Sequence, residues 1–273
     1  MTVTTHPTRA THVPATRFAL TLPRTLRSEW IKLATLRSTW WSIGITALLT
    51  IGIAVLIASS VPSGTSGFEG IFAVVSPIQF TALLAGILGA IAVTGEYSTG
   101  MIRSTLTADP VRGRVLAAKA IVLAVFLFVA SLVIFFAAAF IVSPVLAGKD
   151  MALDWGTPSA TIVPLLAASL AMAVCALIGV SFGYVLRSGA GAIAATVGLL
   201  FVLPIVASMF SMAGKSWKWI LDASNYLPLS AAQYAISPHD SAPLSAPVAF
   251  LTLGLWVVAG MLGAWAVLRT RDA

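Results

Sequence analysis

Charge is scarce in this sequence and absent from the middle of its longest apolar runs. Asp, Glu, Lys and Arg make up 9% of the 273 residues, where a soluble domain carries about 25%. Cysteine occurs once, as Cys175, so no internal disulfide is expected and cysteine usage leaves the redox compartment open. Surrounded by apolar residues, Cys175 reads as a small core residue rather than a nucleophile. The histidines are His6, His12 and His239. A metal site needs three or four convergent donors, so none is expected, and no catalytic residue stands out. No GxSxG elbow supports a Ser/His/Asp triad. A phosphate-cradling GxxxxGK[ST] loop is missing as well. The nearest match, Gly214-Lys215-Ser216, has Met209 where the first glycine belongs. No acidic residue or histidine lies at the centre of an apolar run, where an ion-coupled carrier usually keeps one.

What the chain does have is six apolar runs: Trp40–Ser60, Ile71–Thr94, Ala117–Leu146, Thr161–Leu186, Gly189–Met212 and Val248–Leu268. About 20 residues of helix, rising about 1.5 Å each, cross the hydrocarbon layer. In lipid the backbone polar groups must be satisfied within the segment, so each run is expected to be a helix. The expected fold is all-α: one polytopic domain over residues 26–273, with six transmembrane helices and an amphipathic interfacial helix before them.

The formal net charge of +7 is unevenly placed. Thirteen basic and four acidic residues fall before run one, between runs two and three, between runs four and five, or after run six, a net +9. The opposite links hold three basic and five acidic residues, a net −2. The positive-inside rule therefore places both termini in the cytoplasm. The excess charge orients the chain and meets anionic lipid rather than nucleic acid. Residues 1–25 are Thr-rich with several prolines and read as a disordered cytoplasmic tail. No cleavable signal peptide is visible, because the first run is too long for one.

Within Leu26–Thr39, Leu26, Trp30, Leu33 and Trp40 recur near helical spacing, with Lys32 mostly off that stripe. This predicts a short helix lying in the interface; the alternative is an ordinary basic flank. Pro77 is expected to kink the second span, and Gly86 and Gly89 to let a neighbouring helix approach closely. Pro204 falls in the fifth span. The link from Ala213 to Pro247 is the longest. Its Lys215, Trp217, Lys218 and Trp219 form an aromatic and basic cluster, and Ala231–Ile236 suits a short helix. A pair of short re-entrant or interface-lying helices and an irregular loop both fit.

The densest polar segment between runs is Gly95–Lys119. Glu96 and Tyr97 end the second run, Gly100 permits a tight turn, and Met101–Thr107 suits a short helix stopped at Asp109-Pro110. Arg103 and Arg114 are within reach of Glu96. A docking element and a solvated basic loop both remain open readings.

This segment resembles the loop after the second span in type-2 ATP-binding-cassette (ABC) transporter permeases. The family shows an acidic residue, a glycine, a short Thr/Leu helix, then proline and basic residues. Here those positions are Glu96, Tyr97, Gly100, Arg103, Thr105, Leu106, Pro110, Arg112, Arg114 and Lys119. The opening Ser-Glu-Trp-x-Lys-Leu of residues 28–33 is similar too. The resemblance covers the chain from about Leu26. It implies that residues 96–114 form a coupling helix seated in a separate cytoplasmic ATPase subunit. It also implies that a second permease copy or a paralogue completes a dimer, in a bacterial plasma membrane.

The reading that follows is the membrane subunit of an ABC exporter for a hydrophobic or amphipathic substrate such as a drug, peptide antibiotic or lipid. ATP and Mg would be used by the partner, with no cofactor in this chain. Two other classes stay open: a non-transporting sensor or immunity subunit, and a membrane-embedded enzyme. The second is disfavoured because catalysis needs paired acid–base groups within hydrogen-bond reach.

Overall fold

The computed structural model describes residues 21–65, 68–109, 111–212, 217–237 and 242–271. Among these there is no strand. Six helical segments are long and apolar enough to cross a membrane: Arg37–Ser60, Gly70–Ser98, Arg112–Ala147, Ile162–Leu186, Gly189–Met209 and Ala246–Thr270. Each overlaps its predicted run. The expected tail lies almost wholly outside the described residues.

Helix α1 spans Leu22–Thr35 and is followed, after an extended Leu36, by α2 (Arg37–Ser60). α1 starts four residues before the predicted stretch. Pro23 sits in its first turn, where a fixed φ and a missing N–H favour helix initiation. The second span is broken at Ser76-Pro77 into α3 (Gly70–Val75) and α4 (Ile78–Ser98). Then come α5 (Met101–Ala108) and the 36-residue α6 (Arg112–Ala147). At about 54 Å, α6 is longer than a bilayer core is thick. The fourth span is α7 (Ile162–Leu186).

The fifth span is α8 (Gly189–Val197) and α9 (Leu203–Met209), joined by a π-helical turn over Gly198–Val202. Pro204 has no N–H to continue the ladder. The Leu203 N–H instead bonds the Gly198 carbonyl, five residues back, which is the register of a π-bulge. The long link holds two short helices, α10 (Lys218–Ser224) and α11 (Pro228–Ile236), before α12 (Ala246–Thr270). The described part of this link thus holds a pair of short helices rather than an irregular loop throughout. Trp256 on α12 ties it down by donating to the Tyr226 carbonyl at 2.8 Å. Lys215 of the predicted cluster lies outside the described residues.

Spans two and four form the centre. The span window in α7 is 72% buried within the chain, against 22% in α2 and α12. Their axes close up through glycines: a Cβ on Gly89 would collide with the Ala176 carbonyl, and one on Gly179 with the Gly86 carbonyl. Without a hydrophobic drive between helices in lipid, such close backbone packing is what holds spans together.

The two ends differ. At one, Lys149 Nζ donates to the carbonyls of Ala58, Ser59 and Val61 at 2.9, 2.7 and 2.6 Å, a cation on the negative end of α2. At the other, Arg112 donates to the Leu268 carbonyl and Arg187 to that of Arg271 at the end of α12. Arg187 holds a left-handed φ of 54°. Such strain persists only where surrounding contacts over-determine it, and its guanidinium also sits 5.4 Å over the Tyr97 ring. This second end gathers α1, α5 and the α7–α8 turn. It is the basic end of the bundle.

Candidate functional site

The buried face of α1 is polar. Thr25, Glu29 and Leu33 point inward at four-residue spacing, while Trp30 and Trp40 are half-exposed and meet the edge of Phe126 on α6 at 5.9 and 6.1 Å. Trp40 also donates to the Ala34 carbonyl across the α1–α2 break. The predicted apolar stripe is therefore only partly the packed one, with Leu33 its buried member.

Glu29 faces a cluster drawn from three helices. Lys119 on α6 reaches Glu29 Oε2 at 2.6 Å and Glu96 Oε1, on α4, at 2.8 Å. Lys32 reaches Glu29 Oε1 at 2.7 Å and the same Glu96 oxygen at 2.9 Å. The side chains of Glu29, Glu96 and Lys119 are 4–6% exposed, and that of Lys32 is 27%. Two cations and two anions balance, so removing one leaves buried charge without its counter-charge. Burial opposes ionisation of Glu29, but Lys119 and then Lys32 outweigh it, and the carboxyl is held below its ordinary value of 4.5. Burial likewise opposes the charge on Lys32, but hydrogen bonds to Glu29 and Glu96 outweigh it, lifting the ammonium above its ordinary 10.5.

This places the sequence-predicted residues differently from expectation. The ionic partners of Glu96 are Lys32 and Lys119, rather than Arg103 and Arg114. The turn at Gly100, with φ 71°, sends Arg103 to the exposed side of α5. Lys119 comes back from two turns inside α6.

Arg114 serves a second anchor. Its guanidinium lies 3.6 Å from Asp109 Oδ2. The same Asp109 oxygen accepts from Thr25 Oγ1 at 3.2 Å, and Oδ1 accepts from the Val111 N–H at 3.1 Å. Asp109 caps the C-terminus of α5 and is 4% exposed.

α5 is thus fixed at both ends. Glu96 precedes it and Asp109 follows it, and each is tied to both α1 and α6. Lys32 also lies 3.5 Å from Thr105 Oγ1. Ile102 is buried and Leu106 half-buried, while Met101, Arg103, Ser104 and Thr107 are exposed. An eight-residue helix rigidly mounted from behind and bare in front can receive a partner surface and pass force to spans two and three. Arg112 engages the end of α12, and Pro110 lies outside the described residues. Among the described residues no group of His, Cys, Asp or Glu could hold a metal.

Residues 26–273 match the family model described as "ABC-2 family transporter protein". The chain belongs to the ABC-2 transporter family. No curated protein matches it. As an ABC-2 permease it is a multi-pass membrane component of a transporter, not an enzyme by itself. Glu29, Thr25 and Asp109 were not singled out as site residues in the sequence. The available signal was the Glu29/Lys32 pair at helical spacing just ahead of an apolar span, where buried charge is costly unless paired.

Proposed function

We propose that this permease is the membrane subunit of an exporter driven by a separate ABC ATPase, which it engages through α5. The observation that carries this reading is the double anchoring of α5 between α1 and α6, with its far face bare. An ATPase closing on ATP and Mg would push on α5. The Glu96 and Asp109 anchors would convert that push into rigid-body movement of α4, α6 and α1. Packed interfaces have discrete arrangements, so a small shift at such a junction is passed on rather than absorbed.

The remaining features of the reading follow from charge and apolar surface. The basic end faces the cytoplasm of a bacterial plasma membrane, with both termini there. α1 lies in the interface with Trp30 and Trp40 at headgroup depth. A second copy or a paralogue completes the conduit. The spans carry no fixed charge at depth, which suits a hydrophobic or amphipathic substrate.

The test is reconstitution with an ABC ATPase subunit that copurifies with the full chain. Arg103→Glu, on the exposed side of α5, is expected to reduce ATPase association about tenfold or more while leaving the melting temperature unchanged. Unchanged association and unchanged substrate-stimulated hydrolysis would remove α5 from the coupling role.

A further inference from the structure

A cleft of about 430 Å³ opens at the basic end between α1, the start of α2, α4 and α6. That is the size of a site for a small organic ligand or part of a lipid. Its deeper wall is apolar: Leu88 and Ile91 on α4, Val122 and Leu123 on α6, and Leu36 at the α1–α2 break. Its rim is polar: Lys32, Ser38, Ser98 and Thr99. From Leu88 to Thr99 the wall climbs about 16 Å along α4. The cleft therefore runs from apolar at bilayer depth to polar at the end of the bundle, the polarity of a lipid with its head at the basic end.

The ionic cluster in its polar wall says which head fits. Lys119 already reaches Glu29, Glu96 and, at 3.4 Å, the Ala92 carbonyl. Lys32 already reaches Glu29, Glu96 and Thr105. An ammonium has three donors, so both lysines are fully used by protein acceptors. The unfilled position is an acceptor: Glu96 is among the residues lining the cleft, and its Oε2, itself shielded from solvent, has no hydrogen-bond partner. A buried carboxylate oxygen calls for a donor, and a charged donor most strongly. Lys32, the most accessible charge in the cluster, is a cation that a phosphate at the rim can approach.

We propose that this cleft binds a phospholipid with a primary-amine head group, an ethanolamine phospholipid. Its ammonium donates to Glu96 Oε2, its phosphate lies beside Lys32, and the upper part of an acyl chain runs along Leu88, Ile91 and Leu123. Reaching Oε2 requires the side chains of the ionic cluster to part around the head. This inference does not depend on α5 docking an ATPase, and its test involves no ATPase.

The full chain, purified in detergent and delipidated, is titrated with dioleoyl phosphatidylethanolamine, phosphatidylcholine or phosphatidylglycerol, and retained lipid is counted by native mass spectrometry. Ethanolamine lipid is expected to bind about tenfold more tightly than choline lipid, which keeps the cation but has no N–H, the ratio expected from one charge-assisted hydrogen bond. Ile91→Trp fills the apolar wall without touching the cluster. It is expected to lose that binding at an unchanged lipid-free melting temperature. Equal retention of ethanolamine and choline lipid, stronger retention of glycerol lipid, or wild-type binding by Ile91→Trp would each overturn the proposal.

Discussion

Lys119 Nζ lies 2.6 Å from Glu29 Oε2, and the two residues come from helices on either side of the second span's end. The pair closes a ring with Lys32 and Glu96. Through it the pre-membrane helix is fastened to the bundle by buried charge as well as by the apolar packing of Leu33 and Trp30. Lys119→Met leaves Glu29 and Glu96 with one cation between them. It is expected to cost about 3–5 kcal/mol, the usual consequence of breaking a buried ionic group. The double variant Glu29→Gln/Lys119→Met should cost less than the sum of the two single changes. A thermal-melt double-mutant cycle in detergent measures this, and additive losses would mean that the two residues do not interact.

The same ring gives a pH profile. The Glu29 carboxyl is held below its ordinary 4.5, so its contribution is complete above that value and is lost as pH falls through the lower folded-state value. Lys32 is lifted above 10.5, so its contribution is complete below 10.5 and is lost as pH rises through the higher folded-state value. Melting temperature should therefore be flat between about pH 5 and pH 10 and fall at both extremes. A maximum confined to one side of neutrality would contradict this.

Close packing of the central spans makes a sharper prediction. Gly179→Ala would drive a methyl group into the Gly86 carbonyl, whereas Gly254→Ala on α12 meets nothing within 4 Å. The first should lower the melting temperature by about 4 °C or more and reduce the yield of folded protein. The second should match the wild type.

Tyr184 is fully buried, and its hydroxyl has no hydrogen-bond partner. Its ring still packs edge-on to Tyr97, with centroids 6.3 Å apart. An unpaired buried hydroxyl costs about 1–3 kcal/mol. Tyr184→Phe keeps the ring and should melt at or above the wild-type temperature. A clear loss of stability would show that the hydroxyl is satisfied in the working protein.

The six spans were legible because lipid imposes length and apolarity together. Their predicted limits differ from the observed ones chiefly where a helix continues into the polar end, as α6 does back to Arg112. The α5 helix was legible from Gly100 and Asp109, which mark its two ends. The partners of Glu96 were not legible. Proximity in sequence favours Arg103 and Arg114, but helix direction after Gly100 turns Arg103 outward, and only tertiary packing brings Lys32 and Lys119 in. The polar buried face of α1 was missed for a related reason. An amphipathic stripe is read from apolar residues, and Thr25 and Glu29 are buried because they are paired. The π-helical turn was signalled only indirectly by Pro204, since proline marks a break without specifying how the ladder re-forms.

The proposed coupling role requires that α5 face the cytoplasm and be covered by an ATPase. The sole native cysteine, Cys175, is fully buried, so an introduced Thr107→Cys on the bare face of α5 can be read against a quiet background. The decisive measurement is its labelling by a membrane-impermeant thiol reagent in intact cells, in inverted vesicles, and in inverted vesicles with the ATPase bound. No labelling is expected in cells, full labelling in vesicles, and protection of at least about half of the sites when the ATPase binds. Labelling in intact cells, or equal labelling with and without the ATPase, would contradict it.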